Sequence, residues 1–257
     1  MDLIDTHTHL YAESFEADRD EMIERAKAAG VKACYLPNID SNSIAGMLAL
    51  EAKYPGYCLP MMGLHPCSVK EDFEKELAIV HQWLEKRSFA AIGEIGIDLY
   101  WDKTFFEQQQ RAFIQQAEWA VVYDLPIVIH SRESIDILIN LVRQMNEPRL
   151  KGIFHCFSGT VEQAEAIIDL GFLLGIGGVL TFKKGGLAEI IEHIDLDYLV
   201  LETDAPYLAP HPYRGKRNES AYTKIVAEKL AELKKKSIAE IASKTTKNAS
   251  NLFRSLD

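Results

Sequence analysis

Long apolar runs and paired cysteines are both absent from the sequence. No stretch approaches eighteen consecutive apolar residues, so no membrane span is expected. The four cysteines form no Cys-x-x-Cys pair and are expected to be buried, reduced thiols. The first five residues are acidic and poor in apolar side chains, unlike a secretory signal. These features predict a cytoplasmic protein, and nothing in them points to an obligate protein partner.

An excess of basic charge is also missing. The chain has 28 Lys and Arg against 38 Asp and Glu, which gives a formal net charge of −10. A protein that grips duplex nucleic acid without sequence preference usually carries a basic face. A phosphate-bearing ligand would therefore have to be held by a local cationic site or by bound metal.

The length and the apolar pattern predict one α/β domain over residues 1–257. The 257 residues match the size of a (β/α)8 TIM barrel. Short apolar runs alternate with helix-periodic stretches, and no glycine-rich fingerprint follows the first run, which favours a closed parallel barrel over an open sheet. The predicted strands are 3–6, 32–36, 57–63, 90–94, 126–130, 152–155, 172–176 and 198–202.

Helix signals fall between these strands and after the last one. Apolar side chains recur at helical spacing over 105–124. Thr160 with Gln163, and Ser237 with Glu240, have the spacing of capping boxes that begin helices. A loop at 206–217 precedes two further helical stretches, so the barrel is expected to carry extra C-terminal helices.

Ligand-type side chains follow the predicted strands. In His7-Thr8-His9, strand periodicity places both imidazoles on one side of the chain. That pair alone is a weak signal, since two polar residues can simply end a strand. Further ligand types stand at the ends of other strands, and these are Glu94, His130, His155 and Asp204. The carboxyl ends of barrel strands form the active-site edge, so a shared site is predicted there.

The chemistry of this set favours two metal ions. Mixed imidazole and carboxylate ligands suit zinc, manganese, iron or cobalt, and magnesium as the carboxylate share rises. Six ligands are too many for one tetrahedral ion, and Glu94 has two oxygens with which to bridge a pair. Two adjacent divalent ions activate water for hydrolysis, with Asp204 placed as ligand and general base.

Several motifs in one order together resemble the TatD-type metal-dependent deoxyribonuclease family. They are Asp5-Thr6-His7-Thr8-His9-Leu10, Gly63-Leu64-His65-Pro66, Gly93-Glu94-Ile95-Gly96-Ile97-Asp98, His130-Ser131-Arg132, His155-Cys156-Phe157-Ser158-Gly159, Glu202-Thr203-Asp204-Ala205-Pro206 and Arg214-Gly215-Lys216-Arg217-Asn218-Glu219. The resemblance implies a TIM barrel, a dinuclear centre and magnesium-supported cleavage of DNA, often from the 3′ end of a single strand. Zinc or manganese also fits the ligands.

The resemblance also implies individual roles. His7, His9, Glu94 and Asp204 would hold one ion, and Glu94, His130 and His155 the other. Glu202 would assist with a further ion or with substrate. His65 would contact a substrate phosphate or the leaving oxygen, the alternative being a role in bracing its loop. Arg214, Lys216 and Arg217 would bind the phosphate backbone, although Lys216 and Arg217 fit a solvated charge run nearly as well. Ser220 departs from the proline that many members have there.

Other side chains near the predicted site keep two interpretations. Tyr100, Trp101 and Tyr207 lie just beyond strands four and eight, where they would either stack on nucleobases or pack in loops. His81 and His193 lie in helical stretches and are expected to be structural or solvent-facing. The sequence assigns no role to His211.

Three other functions compete with the nuclease hypothesis. A small-molecule amidohydrolase or lactonase would use the same barrel, although a modified lysine often bridges its metals where this chain has Glu94. Hydrolysis of an aminoacyl-tRNA ester is a related possibility. A non-catalytic metal or nucleic-acid binder fits the complete ligand set least well.

Overall fold

The computed structural model describes residues 1–183 and 185–253, in which eight parallel strands alternate with α-helices. The strands are β1 Leu3–Asp5, β2 Val31–Leu36, β3 Cys58–Pro60, β4 Ile92–Asp98, β5 Ile127–Arg132, β6 Gly152–Phe154, β7 Leu173–Ile176 and β8 Leu199–Leu201. The helices are α1 Arg19–Ala28, α2 Ile44–Lys53, α3 Phe73–Lys86, α4 Phe106–Tyr123, α5 Ile135–Met145, α6 Val161–Asp169, α7 Leu187–His193, α8 Thr223–Lys234 and α9 Ile238–Leu252.

The strands close into a barrel. They form two parallel ladders, β1 to β3 and β4 to β8, in sequence order. The ladders meet where Met62 bridges Ile92, and the other seam closes where the N–H of Thr6 donates to the carbonyl of Leu201 at 3.0 Å. Parallel neighbours in chain order require a crossover helix each time, and the structure has one. The prediction of a (β/α)8 barrel with extra C-terminal helices is confirmed.

Two apolar layers hold this architecture together. The larger cluster joins strands to the surrounding helices. The smaller one takes side chains from the other seven strands and from the two residues just before β4, as the interior of a barrel does. Phe253, just after α9, joins this inner cluster and stacks on Tyr35 with ring centroids 3.9 Å apart. One domain over residues 1–257 remains a prediction, supported by a core that runs from β1 to α9.

The bounds of β4 differ most from the prediction, because Glu94 lies inside the strand rather than at its end. β4 continues to Asp98, and residues 95–98 pair with 129–132 of β5. Glycines interrupt the apolar pattern here, so the pattern does not indicate that the strand continues past Glu94. At Gly96 a Cβ would lie 2.0 Å from the carbonyl oxygen of His130, so only glycine allows this approach of β4 to β5.

Both predicted capping boxes are present. The hydroxyl of Thr160 accepts from the N–H of Gln163 at 3.3 Å, and that of Ser237 accepts from the N–H of Glu240 at 3.2 Å. Across residues 1–183 and 185–253, every helix is too short or too polar to cross a membrane. The cytoplasmic location remains a prediction.

Candidate metal centre

Glu94 lies at the middle of the imidazole cluster, with a different set of rings facing each carboxylate oxygen. Oε2 lies 3.1 Å from Nε2 of His7 and 3.6 Å from Nε2 of His9. Oε1 lies 2.8 Å from Nδ1 of His130 and 2.8 Å from Nε2 of His155. The four predicted histidines therefore converge on one buried carboxylate from two sides.

Backbone pairing at the β1–β8 seam places Asp204 on the first side. The N–H of Asp204 donates to the carbonyl of His7 at 2.9 Å. Oδ1 of Asp204 then lies 3.6 Å from Nε2 of His7 and 3.7 Å from Nε2 of His9. The Asp204 side chain stays 15% exposed, so this carboxylate faces both the cluster and the solvent above it.

The protonation states of His7 and Glu94 fit divalent metal ions. Within the described residues, both ring nitrogens of His7 are buried without a hydrogen-bond partner. Burial and the neighbouring His155 hold the pKa of His7 well below its ordinary value, which keeps the ring neutral. Burial alone would raise the pKa of Glu94. The surrounding imidazoles lower that pKa by more, so it lies well below the usual range of a carboxyl group. Neutral imidazoles and an ionised carboxylate are the forms that bind metal.

Further hydrogen bonds orient two of the rings. Nδ1 of His9 lies 2.8 Å from the hydroxyl of Tyr11, which donates to the carbonyl of Pro37. Nε2 of His130 lies 2.9 Å from Oδ2 of Asp98. In each ring the other nitrogen is left facing Glu94, and a carboxylate behind a ligand histidine is typical of metal sites.

His65 joins the cluster from the turn after β3, but its hydrogen bonds separate it from the other rings. Nδ1 accepts from the N–H of Cys67 at 3.0 Å. The proton of a neutral ring must then sit on Nε2, which lies 3.4 Å from Oε1 of Glu94. Distance alone groups His65 with Glu94 and His130 as possible ligands. A ring that presents N–H suits a hydrogen-bond donor better than a metal ligand.

A cleft of about 800 Å³ opens above the cluster. Arg214 and Lys216 line it, as do the aromatic side chains of Trp101 and Tyr207. The Arg214 guanidinium stacks 3.9 Å from the ring centroid of Phe182. Neither cation has a carboxylate partner among the described residues, so both are free to meet an anionic ligand.

Comparison with known proteins identifies the family of this chain. The family described as TatD related DNase matches residues 4–254. The chain belongs to the TatD family. It is 39% identical over 253 residues to the metal-dependent hydrolase YabD of Bacillus subtilis, covering 98% of this chain and 99% of that protein. It is 32% identical over 258 residues to a protein of Erwinia tasmaniensis named 3′-5′ ssDNA/RNA exonuclease TatD, covering 98% and 99%.

A solved structure gives the same family. The crystal structure of YjjV, a TatD homologue from Escherichia coli, superposes with a TM-score of 0.92 at 34% identity, covering 98% of this chain and 97% of that one. These findings confirm the family and the enzyme class predicted from the sequence. The protein is a metal-dependent hydrolase of the TatD type.

Glu202 of this TatD-family protein lies behind His155. Its side chain is fully buried, and Oε1 accepts from the N–H of Cys156 at 2.6 Å. The same oxygen lies 3.5 Å from Nδ1 of His155. Glu202 does not line the cleft, and its catalytic role remains a prediction. Its position behind His155 indicates a role in orienting that ring.

Arg217 is paired within the protein, and its role in substrate binding remains a prediction. Its guanidinium makes two hydrogen bonds to Asp18, at 2.6 and 2.7 Å, and one to the carbonyl of Ser14 at 2.7 Å. It does not line the cleft. Because its donors are directed at the segment before α1, Arg217 fixes the loop that carries Arg214 and Lys216.

Asp98 was missed by the sequence reasoning as a site residue. It lies four positions after Glu94 on β4, an even separation that places both side chains on one face of a strand. That parity was a usable signal. His81 and His193 lie on helices α3 and α7 as expected, and His211 borders a separate depression beside Phe182.

Proposed function

We propose that this protein hydrolyses DNA phosphodiester bonds, from the 3′ end of a single strand, with two divalent metal ions. The observation that carries the proposal is the division of imidazoles between the two oxygens of Glu94. One carboxylate with ligands on both sides is the arrangement that bridges a metal pair. His7, His9 and Asp204 would hold one ion, and His130 and His155 the other.

Two observations support nucleic acid as the substrate. Relatives from Erwinia tasmaniensis and Pectobacterium parmentieri, at 32% and 30% identity, are named 3′-5′ ssDNA/RNA exonucleases. The cleft also holds the free cations Arg214 and Lys216, although the whole chain is acidic. Local cations beside a metal centre allow a phosphate backbone to bind an otherwise repelling surface.

Asp204 and His65 would have different roles in the reaction. When bound, divalent ions lower the pKa of water and stabilise charge on phosphate oxygens. Burial raises the pKa of Asp204 to about 6, against the opposing effect of His155 and His9. Asp204 is therefore ionised at neutral pH and basic enough to accept the proton of the attacking water. The N–H at Nε2 of His65 would donate a hydrogen bond to the leaving oxygen and stabilise its developing charge, and the proton that this oxygen takes up would come from solvent.

Cleavage of a labelled single-stranded oligonucleotide tests the proposal. Metal-stripped protein is supplied with Mg²⁺, Mn²⁺ or Zn²⁺, alongside Asp204→Asn and a control variant, Asp72→Asn. Asp72 is an exposed carboxylate that directly precedes α3, and it does not line the cleft. We expect metal-dependent shortening from the 3′ end in the wild type and the control, and its loss in Asp204→Asn.

Absence of cleavage with all three ions, in protein that holds two equivalents of metal, would contradict the nuclease proposal. The same protein would then be assayed on small esters and amides and on aminoacyl-tRNA. Metal binding with no turnover on any of these substrates would identify a non-catalytic binder.

A further inference from the structure

Two arginines differ from all the others in residues 1–183 and 185–253, because their guanidinium groups donate to no protein oxygen. They are Arg132 and Arg214, and both line the cleft. The remaining described arginines each donate to a carboxylate, an amide or a carbonyl oxygen, and these are Arg19, Arg25, Arg87, Arg111, Arg143, Arg149 and Arg217. In an acidic protein, free guanidinium groups gathered at one cleft indicate an anionic ligand there.

Arg132 ends β5 beside an aromatic pair. Its guanidinium lies 4.2 Å from the ring centroid of Tyr100 and 6.0 Å from that of Trp101. The two rings contact each other edge to face, with centroids 4.9 Å apart. Stacking restricts the guanidinium plane while leaving its N–H donors unused.

The aromatic pair is exposed although it stands at the edge of the cleft. Trp101 is 71% exposed and Tyr100 is 51% exposed. Large exposed rings that are clustered at a binding cleft indicate a contact surface more often than packing. Their open faces are therefore available to a flat ligand.

Asp98 connects this surface to the metal centre. Oδ1 of Asp98 accepts from the N–H groups of Tyr100 at 2.9 Å and Trp101 at 3.1 Å. Oδ2 of the same carboxylate lies 2.9 Å from Nε2 of His130. One buried carboxylate thus fixes the loop that carries the rings and the imidazole that faces Glu94.

We propose that Arg132, Tyr100 and Trp101 form a subsite for one unpaired nucleotide, with a phosphate on the guanidinium and a base on the indole. This inference rests on the proposed function and names the structural feature by which the site would select single strands. A base inside a duplex is stacked on both faces, so it has no face to offer Trp101. Arg214 over Phe182 presents a second cation–aromatic pair elsewhere on the cleft.

Binding of a short oligodeoxythymidylate with phosphorothioate linkages, labelled with fluorescein, tests the subsite in the metal-loaded protein. We expect Trp101→Ala and Arg132→Gln each to weaken affinity at least about fivefold, since one stacked base contributes about 1 kcal/mol or more. A duplex of the same length should bind the wild type more weakly. Arg143→Gln removes an exposed guanidinium of α5 that does not line the cleft, and it should leave affinity unchanged.

The Trp101→Phe variant distinguishes a loss of base stacking from a loss of folded structure. The phenyl ring keeps a stacking face, so affinity should stay within about twofold of the wild type. The change in tryptophan fluorescence on binding should disappear, because the remaining Trp83 and Trp119 lie on helices α3 and α4. Thermal unfolding of each variant reports whether it is folded.

The outcomes separate this inference from the proposed function. Unchanged affinity in folded Trp101→Ala and Arg132→Gln, in protein that still cleaves single strands, would overturn the subsite alone. Equal affinity of the wild type for the duplex and the single strand would also overturn it. A wild-type protein that neither binds nor cleaves the oligonucleotide would contradict the proposed function and the subsite together.

Discussion

The N–H of Cys67 donates to Nδ1 of His65 at 3.0 Å, which fixes the proton of a neutral His65 ring on Nε2. That nitrogen is directed at the carboxylate at the middle of the metal centre, 3.4 Å from Oε1 of Glu94. A backbone contact outside the centre therefore sets which nitrogen of His65 presents an N–H to the centre.

His65→Gln should lower kcat by about 10²- to 10³-fold, since one hydrogen-bond donor placed at the developing charge contributes that much. Bound metal should stay at the wild-type level, because His65 donates rather than ligates. Steady-state cleavage and metal analysis of the same sample provide the measurement. Cys67→Ala is the control, since it keeps the N–H and should keep activity. A His65→Gln protein that loses metal would identify His65 as a ligand instead.

Asp98→Asn should weaken metal affinity or activity about 10- to 100-fold, the usual effect of removing a carboxylate behind a ligand histidine. The asparagine still offers an oxygen to the loop at Tyr100 and Trp101, but it no longer supplies a charge to His130. Metal titration of the variant measures the effect. Asp102→Asn, in the same loop and paired only with exposed groups, should behave as wild type. Equal losses in both variants would rule out the orienting role.

Arg214→Gln and Arg217→Gln should act on different properties although only three positions separate them. Arg214 has free donors at the cleft, so its loss should raise KM for an oligonucleotide about tenfold and flatten the salt dependence. Arg217 is held by Asp18, so its loss should lower Tm by about 2–4 °C, as about 1 kcal/mol does in a chain of this size. Kinetics at several salt concentrations and thermal melts distinguish them. A raised KM in Arg217→Gln, with a lowered Tm in Arg214→Gln, would support the predicted role of Arg217 in substrate binding.

The buried Asp5 should make stability depend on pH. Its carboxylate accepts from the N–H and hydroxyl of Thr203, yet burial raises its pKa from 3.8 to about 7. The folded protein then keeps a proton that the unfolded chain releases, so this group lowers stability as pH rises through that window. Relative to the wild type, metal-free Asp5→Asn should gain on the order of 2 kcal/mol between about pH 5 and pH 8. Denaturant unfolding at each pH measures the difference, and a constant difference would contradict the assignment.

The strands and the meeting of the ligands were predictable because both follow from local pattern and barrel geometry. The run over 126–130 is continuous and apolar, and its strand begins within one residue of the prediction, at Ile127. In a parallel barrel the carboxyl ends of all strands share one edge, so ligand types after separate strands must converge. His7 and His155 converge for this reason, with stacked rings 3.8 Å apart.

The structure differs from the local sequence pattern where long-range contacts or glycine-dependent pairing override that pattern. Glycines in β4 interrupt the apolar pattern, so the part of the strand after Glu94 was not predicted. Arg217 pairs with Asp18, a partner 199 positions away that the sequence does not reveal. Glu202 and Asp204 are two positions apart, a spacing that regular strand alternation would place on one face, but Asp204 has a φ of 57°, so that alternation stops before it.

The number of metal ions bound per chain distinguishes a metal pair bridged by Glu94 from a single-ion site. Metal-stripped protein is titrated with Mn²⁺ or Zn²⁺, and the bound equivalents are counted for the wild type and for Glu94→Gln. Since Glu94 presents one oxygen to each set of imidazoles, we expect two equivalents in the wild type and weakened binding of both in the variant. One equivalent in the wild type, or two undisturbed equivalents in Glu94→Gln, would contradict a metal pair bridged by this carboxylate.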